Sequence, residues 1–178
     1  ATGQTKHQQG FAPLPEGFKV VDFNDIDAIK SAVTDKTVAI MLELIQGEGG
    51  INVAGIEYVR AIRNLCDEKN ILLVIDEIQT GMGRTGQMFC YQNYGIKPDV
   101  MTVAKALGGG LPIGAMIVDK KLAGIFKPGM HGSTFAGSPL VAKAALGSLK
   151  AMSQDKVLKN VKVIEPYLKS KLEVLKQK

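Results

Sequence analysis

The chain is poor in the residues on which disulfide scaffolds and zinc sites depend. It has two cysteines, Cys66 and Cys90, in 178 residues. They are far apart and form no C-x-x-C, so neither a disulfide framework nor a zinc site has support. Both read as reduced thiols in or near a core. No apolar run approaches the roughly 20 residues of a membrane-spanning helix. The opening ATGQTKHQQG has neither the basic start nor the apolar centre of a signal peptide. A cytoplasmic protein that leaves membranes alone is therefore the expectation. The net charge of +5 comes largely from the lysine-rich stretch after Gln154, which lacks the series of aromatics that would stack bases. A solvated helix face explains it better than a nucleic-acid partner. The first residue is not methionine, and Ala1 to Gln9 carries no start signal for an element, as a piece of a longer chain would read.

What is present is a core. Apolar residues make up 46% of the chain, enough for one domain or a large part of a bigger one. Asn24 is placed to cap a short helix reaching about Val33, with Ile26, Ile29 and Val33 on one face. Val38 to Leu44 is apolar apart from Glu43 and ends at the GEGG of Gly47 to Gly50, the pattern of a strand buried on both faces. A helix from about Ile56 to Asp67 follows, then strands at Ile71 to Ile75, Val100 to Val103 and Ala115 to Val118. From Pro139 the pattern is helical, first to about Met152. A second run then carries Val157, Val161, Ile164, Leu168, Leu172 and Leu175 on one stripe, with a kink or break expected at Pro166. Alternating strands and helices predict an α/β fold, a mostly parallel sheet with helices on both faces.

In open α/β sheets, ligands collect beyond the carboxyl ends of the strands. Asp76 closes the most apolar strand, and a buried carboxylate needs a partner, which a protonated pyridine nitrogen would supply. Lys105 stands among Val103, Ala104, Ala106 and Leu107, where desolvation would favour a neutral, nucleophilic amine. Gly108, Gly109 and Gly110 would let the backbone approach a flat ligand. An amine to hold an aldehyde and a carboxylate to hold a ring nitrogen are what pyridoxal 5'-phosphate requires. Taken singly, Asp76 also reads as a helix cap or ion-pair member, and Lys105 as a lysine reaching to solvent. Gly81 to Gly86, GMGRTG, fits the G-x-G-x-x-G dinucleotide pattern but is not followed by the crossover helix that pattern needs, and reads as a turn-rich loop. The HGSTFAG of His131 to Gly137 offers two hydroxyls as a phosphate cradle, or is an ordinary polar loop. His131 has no carboxylate or nucleophile at a recognisable spacing.

Four stretches in this order, LELIQGEGG (Leu42 to Gly50), DEIQTGMGRTG (Asp76 to Gly86), AKALGGGLPIGA (Ala104 to Ala115) and HGSTFAGSPL (His131 to Leu140), resemble the motifs of class III aminotransferases. This is a fold-type-I family dependent on pyridoxal phosphate. The wording is most similar to the members acting on acetylornithine, with those acting on ornithine and 4-aminobutyrate close behind. The resemblance implies that Lys105 forms the Schiff base, Asp76 partners the pyridinium nitrogen, Ile78 packs on the ring and Gln79 bonds its phenolic oxygen. Ser133 and Thr134 would reach the phosphate held by a neighbouring subunit, which implies a homodimer. Glu48 resembles the residue that pairs with a substrate-binding arginine in relatives acting on ω-amines. The implied reaction passes the terminal amine of N-acetylornithine to 2-oxoglutarate, a step of arginine biosynthesis. Ornithine, 4-aminobutyrate or succinylornithine are the alternative substrates, and a non-catalytic fragment the alternative of another class.

Three positions depart from the family pattern. Leu44 stands where proline is usual, Ala136 where glycine is usual and Ser138 where asparagine is usual, which affects loop geometry more than chemistry. The resemblance covers the central part of the family's large domain, residues 1–154, with 155–178 a helix leading toward the small domain. The family's N-terminal phosphate loop and C-terminal carboxylate-binding arginine have no counterpart in these residues. No measurable transamination is expected from them alone.

Overall fold

The computed structural model describes residues 2–154 and 156–177. A short turn of helix, α1 (Thr5–Gln8), precedes α2 (Ile26–Ala32), which starts where Asp25 Oδ1 accepts the Ala28 N–H at 2.8 Å. The cap is thus Asp25 and not Asn24. Asn24 adopts a left-handed φ of 64° and ties α2 to the next segment, donating to the Val53 carbonyl and accepting from the Gly55 N–H. Strand β1 (Ala39–Glu43) follows, then a two-stranded antiparallel ribbon of β2 (Ile45–Gln46) and β3 (Asn52–Val53). The GEGG run predicts the end of a strand; it in fact forms the turn of this ribbon.

Helix α3 (Ile56–Lys69) buries Tyr58, Val59, Ile62, Leu65 and Cys66 on one side; the sequence spacing of Ile56, Val59, Ile62 and Cys66 predicts this face for the last three, whereas Ile56 at the start of the helix is 50% exposed. Asn70, at φ 51°, ends it, and the Ile71 N–H closes on the Cys66 carbonyl at 3.0 Å. Strands β4 (Leu72–Asp76), β5 (Val100–Val103) and β6 (Ala115–Val118) complete a sheet in the order β1-β4-β5-β6. The first three strands run parallel and β6 runs antiparallel. A parallel neighbour needs a long crossover, as α3 supplies between β1 and β4. Only 11 residues separate β5 from β6, which permits a simple reversal.

The register places Ile40, Leu42, Leu73, Ile75, Met101 and Val103 on one face. There α2, α3 and the turn at Cys90–Tyr94 bury one cluster, and Leu107 with Ala145 of α4 (Pro139–Gln154) buries the other. Each fully buried Ile or Leu in such a cluster contributes about 1.5–3 kcal/mol. On the opposite face Met41 and Met116 remain 58% and 52% exposed, so the helices among the described residues do not give the two-sided cover expected of the sheet. Helix α5 (Val157–Lys176) continues through Pro166 without the expected break. Proline there removes one N–H, and α5 is exposed along most of its length, so water can satisfy the carbonyl left over. The division between residues 154 and 155 falls at Asp155, outside the described residues.

Candidate active site

Asp76 is the last residue of β4 and Thr102 is its partner on β5; Lys105 comes three residues later, opening the 3-10 turn Lys105–Gly108. The two chemically opposed residues therefore stand at the same, carboxyl, ends of adjacent parallel strands. Asp76 is half-buried, and its Oδ1 accepts the Ile78 N–H at 2.8 Å, a bond that turns the chain sharply out of the strand. Among the described residues no donor reaches Oδ2, which leaves one carboxylate oxygen available. Lys105 is held at a left-handed φ of 45°, rare for a residue with a side chain.

Lys105 is exposed, so the apolar neighbours in sequence do not desolvate it within these residues. Val103 and Leu107 turn their side chains into the core beneath, while Lys105 lies on the solvent side of the turn. The glycines after it also differ from expectation. A Cβ on Gly108 would meet Ile113 at 2.9 Å and one on Gly109 would meet the Ser148 hydroxyl of α4 at 2.9 Å. These two glycines fit the turn to its own chain rather than to a ligand.

A second group gathers at the end of β1. Glu43, level with Asp76 in the register, accepts the Gly47 N–H at 2.9 Å, and the Gln79 side chain lies so close to Gly47 that an added Cβ would stand 3.0 Å from it. Gln79 and the exposed Glu48 thus border the Asp76 end of the sheet, and Ile78 is half-buried beside it. Ser133 and Thr134 are exposed in the loop before α4, with no hydrogen bond linking them to this group among the described residues.

The family model for Aminotransferase class-III matches residues 1–178. The chain belongs to the class-III aminotransferases. It is 54% identical over 180 residues to an acetylornithine aminotransferase of Methanocaldococcus jannaschii, a match covering 100% of this chain and 45% of that one. It is 52% identical to the acetylornithine aminotransferase of Caldanaerobacter subterraneus subsp. tengcongensis, again over 100% of this chain and 45% of the relative. The chain thus spans a little under half the length of these relatives. Its fold is similar to the ornithine aminotransferase of Toxoplasma gondii, with a TM-score of 0.90 at 33% identity, over 96% of this chain and 40% of the other. It is also similar to the N-acetylornithine aminotransferase of Stenotrophomonas maltophilia, with a TM-score of 0.81 at 38% identity, over 92% of this chain and 43% of the other.

For a class-III aminotransferase, the residue after Asp76 has a role that its sequence signal hides. Glu77 is 1% exposed, accepting from the Thr80 hydroxyl at 2.6 Å and the Tyr91 N–H at 2.8 Å. It anchors the loop leaving Asp76. Its carbonyl accepts the Gly81 N–H at 2.9 Å and would lie 2.7 Å from any Cβ there, which is why that position is glycine. The GMGRTG run then serves as a seat for the last two helices, since a Cβ on Gly83 would meet Met152 of α4 and Leu158 of α5. At the other end of the sheet, Asp99 accepts Arg63 Nη1 and the Leu73 N–H, both at 2.8 Å, and pairs with Lys121. Burial alone would raise its pKa, but the Leu73 amide, Lys121 and Arg63 outweigh burial and hold the carboxyl down at about 2. An acid followed by a strand is a weak signal, and only the fold reveals these partners. Among the described residues no group of three or more His, Cys, Asp or Glu is placed to hold a metal, and no helix is long and apolar enough to cross a membrane.

Proposed function

We propose that the whole protein is a pyridoxal 5'-phosphate-dependent aminotransferase that passes the terminal amine of N-acetylornithine to 2-oxoglutarate. The observation that carries this reading is the placement of Asp76 and Lys105 at the carboxyl ends of neighbouring parallel strands, in a chain 54% identical to an acetylornithine aminotransferase. The residues fit the cofactor in chemistry. Oδ2 of Asp76 is free to accept from a protonated ring nitrogen, and Lys105 offers a primary amine on a long, unhindered side chain. When bound, the cofactor supplies an electron sink for the carbon that loses its proton.

The rest falls to the chain's own residues. Lys105 would hold the cofactor through its Nζ, and once the substrate amine has freed it, that same Nζ would accept the proton that the substrate carbon loses. Asp76 would accept a hydrogen bond from the protonated ring nitrogen, an electrostatic contribution that a strand end positions in advance. Ile78 would offer an apolar side chain to the ring and Gln79 a hydrogen bond to its oxygen. Ser133 and Thr134 serve the phosphate of a partner subunit in a homodimer, which accords with their exposure. Glu48 answers a substrate-binding arginine. Residues 1–154 belong to the large domain and α5 leads toward the small one, in a cytoplasmic enzyme.

The test is a coupled assay on the full-length protein with 2-oxoglutarate and, in turn, N-acetylornithine, succinylornithine, ornithine and 4-aminobutyrate. The highest kcat/KM with N-acetylornithine supports the assignment. A preference for ornithine, the substrate named for the Toxoplasma gondii structure, would replace it.

A further inference from the structure

Thr102 is the residue whose chemistry the reading above leaves unused. Its hydroxyl oxygen is buried and has no hydrogen-bond partner among the described residues. A β-branched valine would fill the same volume in a strand without burying an unpaired polar group, so an orphaned hydroxyl is a local conflict that a partner must resolve. Among the described residues, the register sets two neighbours beside it on the same face. Thr102 stands directly between Asp76 on β4 and Met116 on β6, all three side chains pointing to the same face of the sheet. Met116 offers only a weakly accepting sulfur. Asp76 offers Oδ2, while its Oδ1 is engaged by the Ile78 N–H. The backbone holds the pair in register at this level, since the Glu77 N–H donates to the Thr102 carbonyl at 2.9 Å.

We infer that Thr102 is a positioning residue for Asp76: rotation about its Cα–Cβ bond lets the hydroxyl donate to Asp76 Oδ2. Together with the Ile78 N–H this fixes both carboxylate oxygens. Cofactor retention by Asp76 then depends on the hydroxyl of Thr102 and not on its bulk. The role rests on the cofactor reading above, whereas the contact between the two side chains does not.

The experiment is a double-mutant cycle on the full-length protein with Thr102→Val, Thr102→Ser, Asp76→Ala and the Val/Ala pair. The dissociation constant of pyridoxal phosphate and the thermal midpoint without cofactor are both read. With Asp76 in place, Thr102→Val should weaken cofactor binding about tenfold, the roughly 1.4 kcal/mol of one charge-assisted bond, and Thr102→Ser should restore it. In the Asp76→Ala background Thr102→Val should have no effect on binding. A merely structural hydroxyl would instead lower the midpoint equally in both backgrounds. Equal effects in both backgrounds, or failure of serine to rescue, overturns the inference. Were the wild-type protein to bind no cofactor, the functional reading would fall. The midpoints would still decide the pair, since a hydroxyl bonded to Asp76 makes Thr102→Val more costly with Asp76 present than without it.

Discussion

Asp99 and the two cysteines show how position in the fold governs chemistry at the scale of a single residue. Asp99 has its pKa depressed from 3.8 to about 2, so its ion pairs add full stability above the ordinary value and lose it as pH falls through the depressed one. Denaturant titrations of the wild-type protein should therefore show a loss of stability between about pH 4 and pH 2 that Asp99→Asn lacks. At neutral pH that variant should be destabilised by about 2 kcal/mol, because Arg63 would lose its buried carboxylate and keep only the mostly exposed Asp67 as an ionic partner. Equal acid profiles for the two proteins would refute the assignment. The thiols are governed by burial in the other direction. Desolvation pushes Cys66 to about 11, and desolvation with the nearby Glu77 charge pushes Cys90 to about 11. Neither forms a thiolate at neutral pH, so a thiol reagent should label both only after unfolding. Rapid labelling of the native protein would contradict their placement.

Elements were legible in the sequence where one periodicity dominated and illegible where long-range partners decided. Val59, Ile62 and Cys66 of α3 and the apolar run of β4 could be read directly, and the carboxylate and lysine at the ends of two strands stood out because polar residues interrupt apolar ones there. The direction of β6 could not be read, because AMIV carries no mark of its neighbour's polarity. Nor could the burial of Glu77, which accepts from Tyr91 14 positions on as well as from Thr80, or the exposure of Lys105, set by its side of a turn. The glycine run GMGRTG mimicked a dinucleotide loop for a similar reason, as Gly83 and Gly86 answer to helices far along the chain while Gly81 answers to the Glu77 carbonyl. Gly83 combines a φ of 88° with a Cβ position 2.3 Å from the Met152 terminal methyl. Gly83→Ala should cost about 2 kcal/mol and loosen the seating of α4 and α5. Gly132→Ala, where no atom lies within 4 Å, should cost little, and chemical denaturation of the two variants compares them.

For the whole molecule, the decisive feature is how much of the candidate site lies open. Lys105, Glu48, Ser133 and Thr134 are all exposed, and a lysine proposed to form an imine lacks, in open water, the dry, preorganised setting in which charge stabilisation is strong. The apolar stripe of α5 is open as well, with Ile164, Leu168, Leu172 and Leu175 between 48% and 63% exposed. Such a face calls for a covering partner or promotes association. These residues expressed alone should thus label weakly at Lys105 on borohydride reduction with pyridoxal phosphate, and should show no measurable transamination of N-acetylornithine. A coupled assay beside the Stenotrophomonas maltophilia enzyme supplies the comparison, with peptide mapping to locate the label. Label on another lysine with Lys105 clean would remove Lys105 from the chemistry. Turnover within tenfold of that enzyme, a barrier difference under roughly 1.4 kcal/mol, would mean that the exposed residues already form a complete site and that covering them contributes little to the reaction.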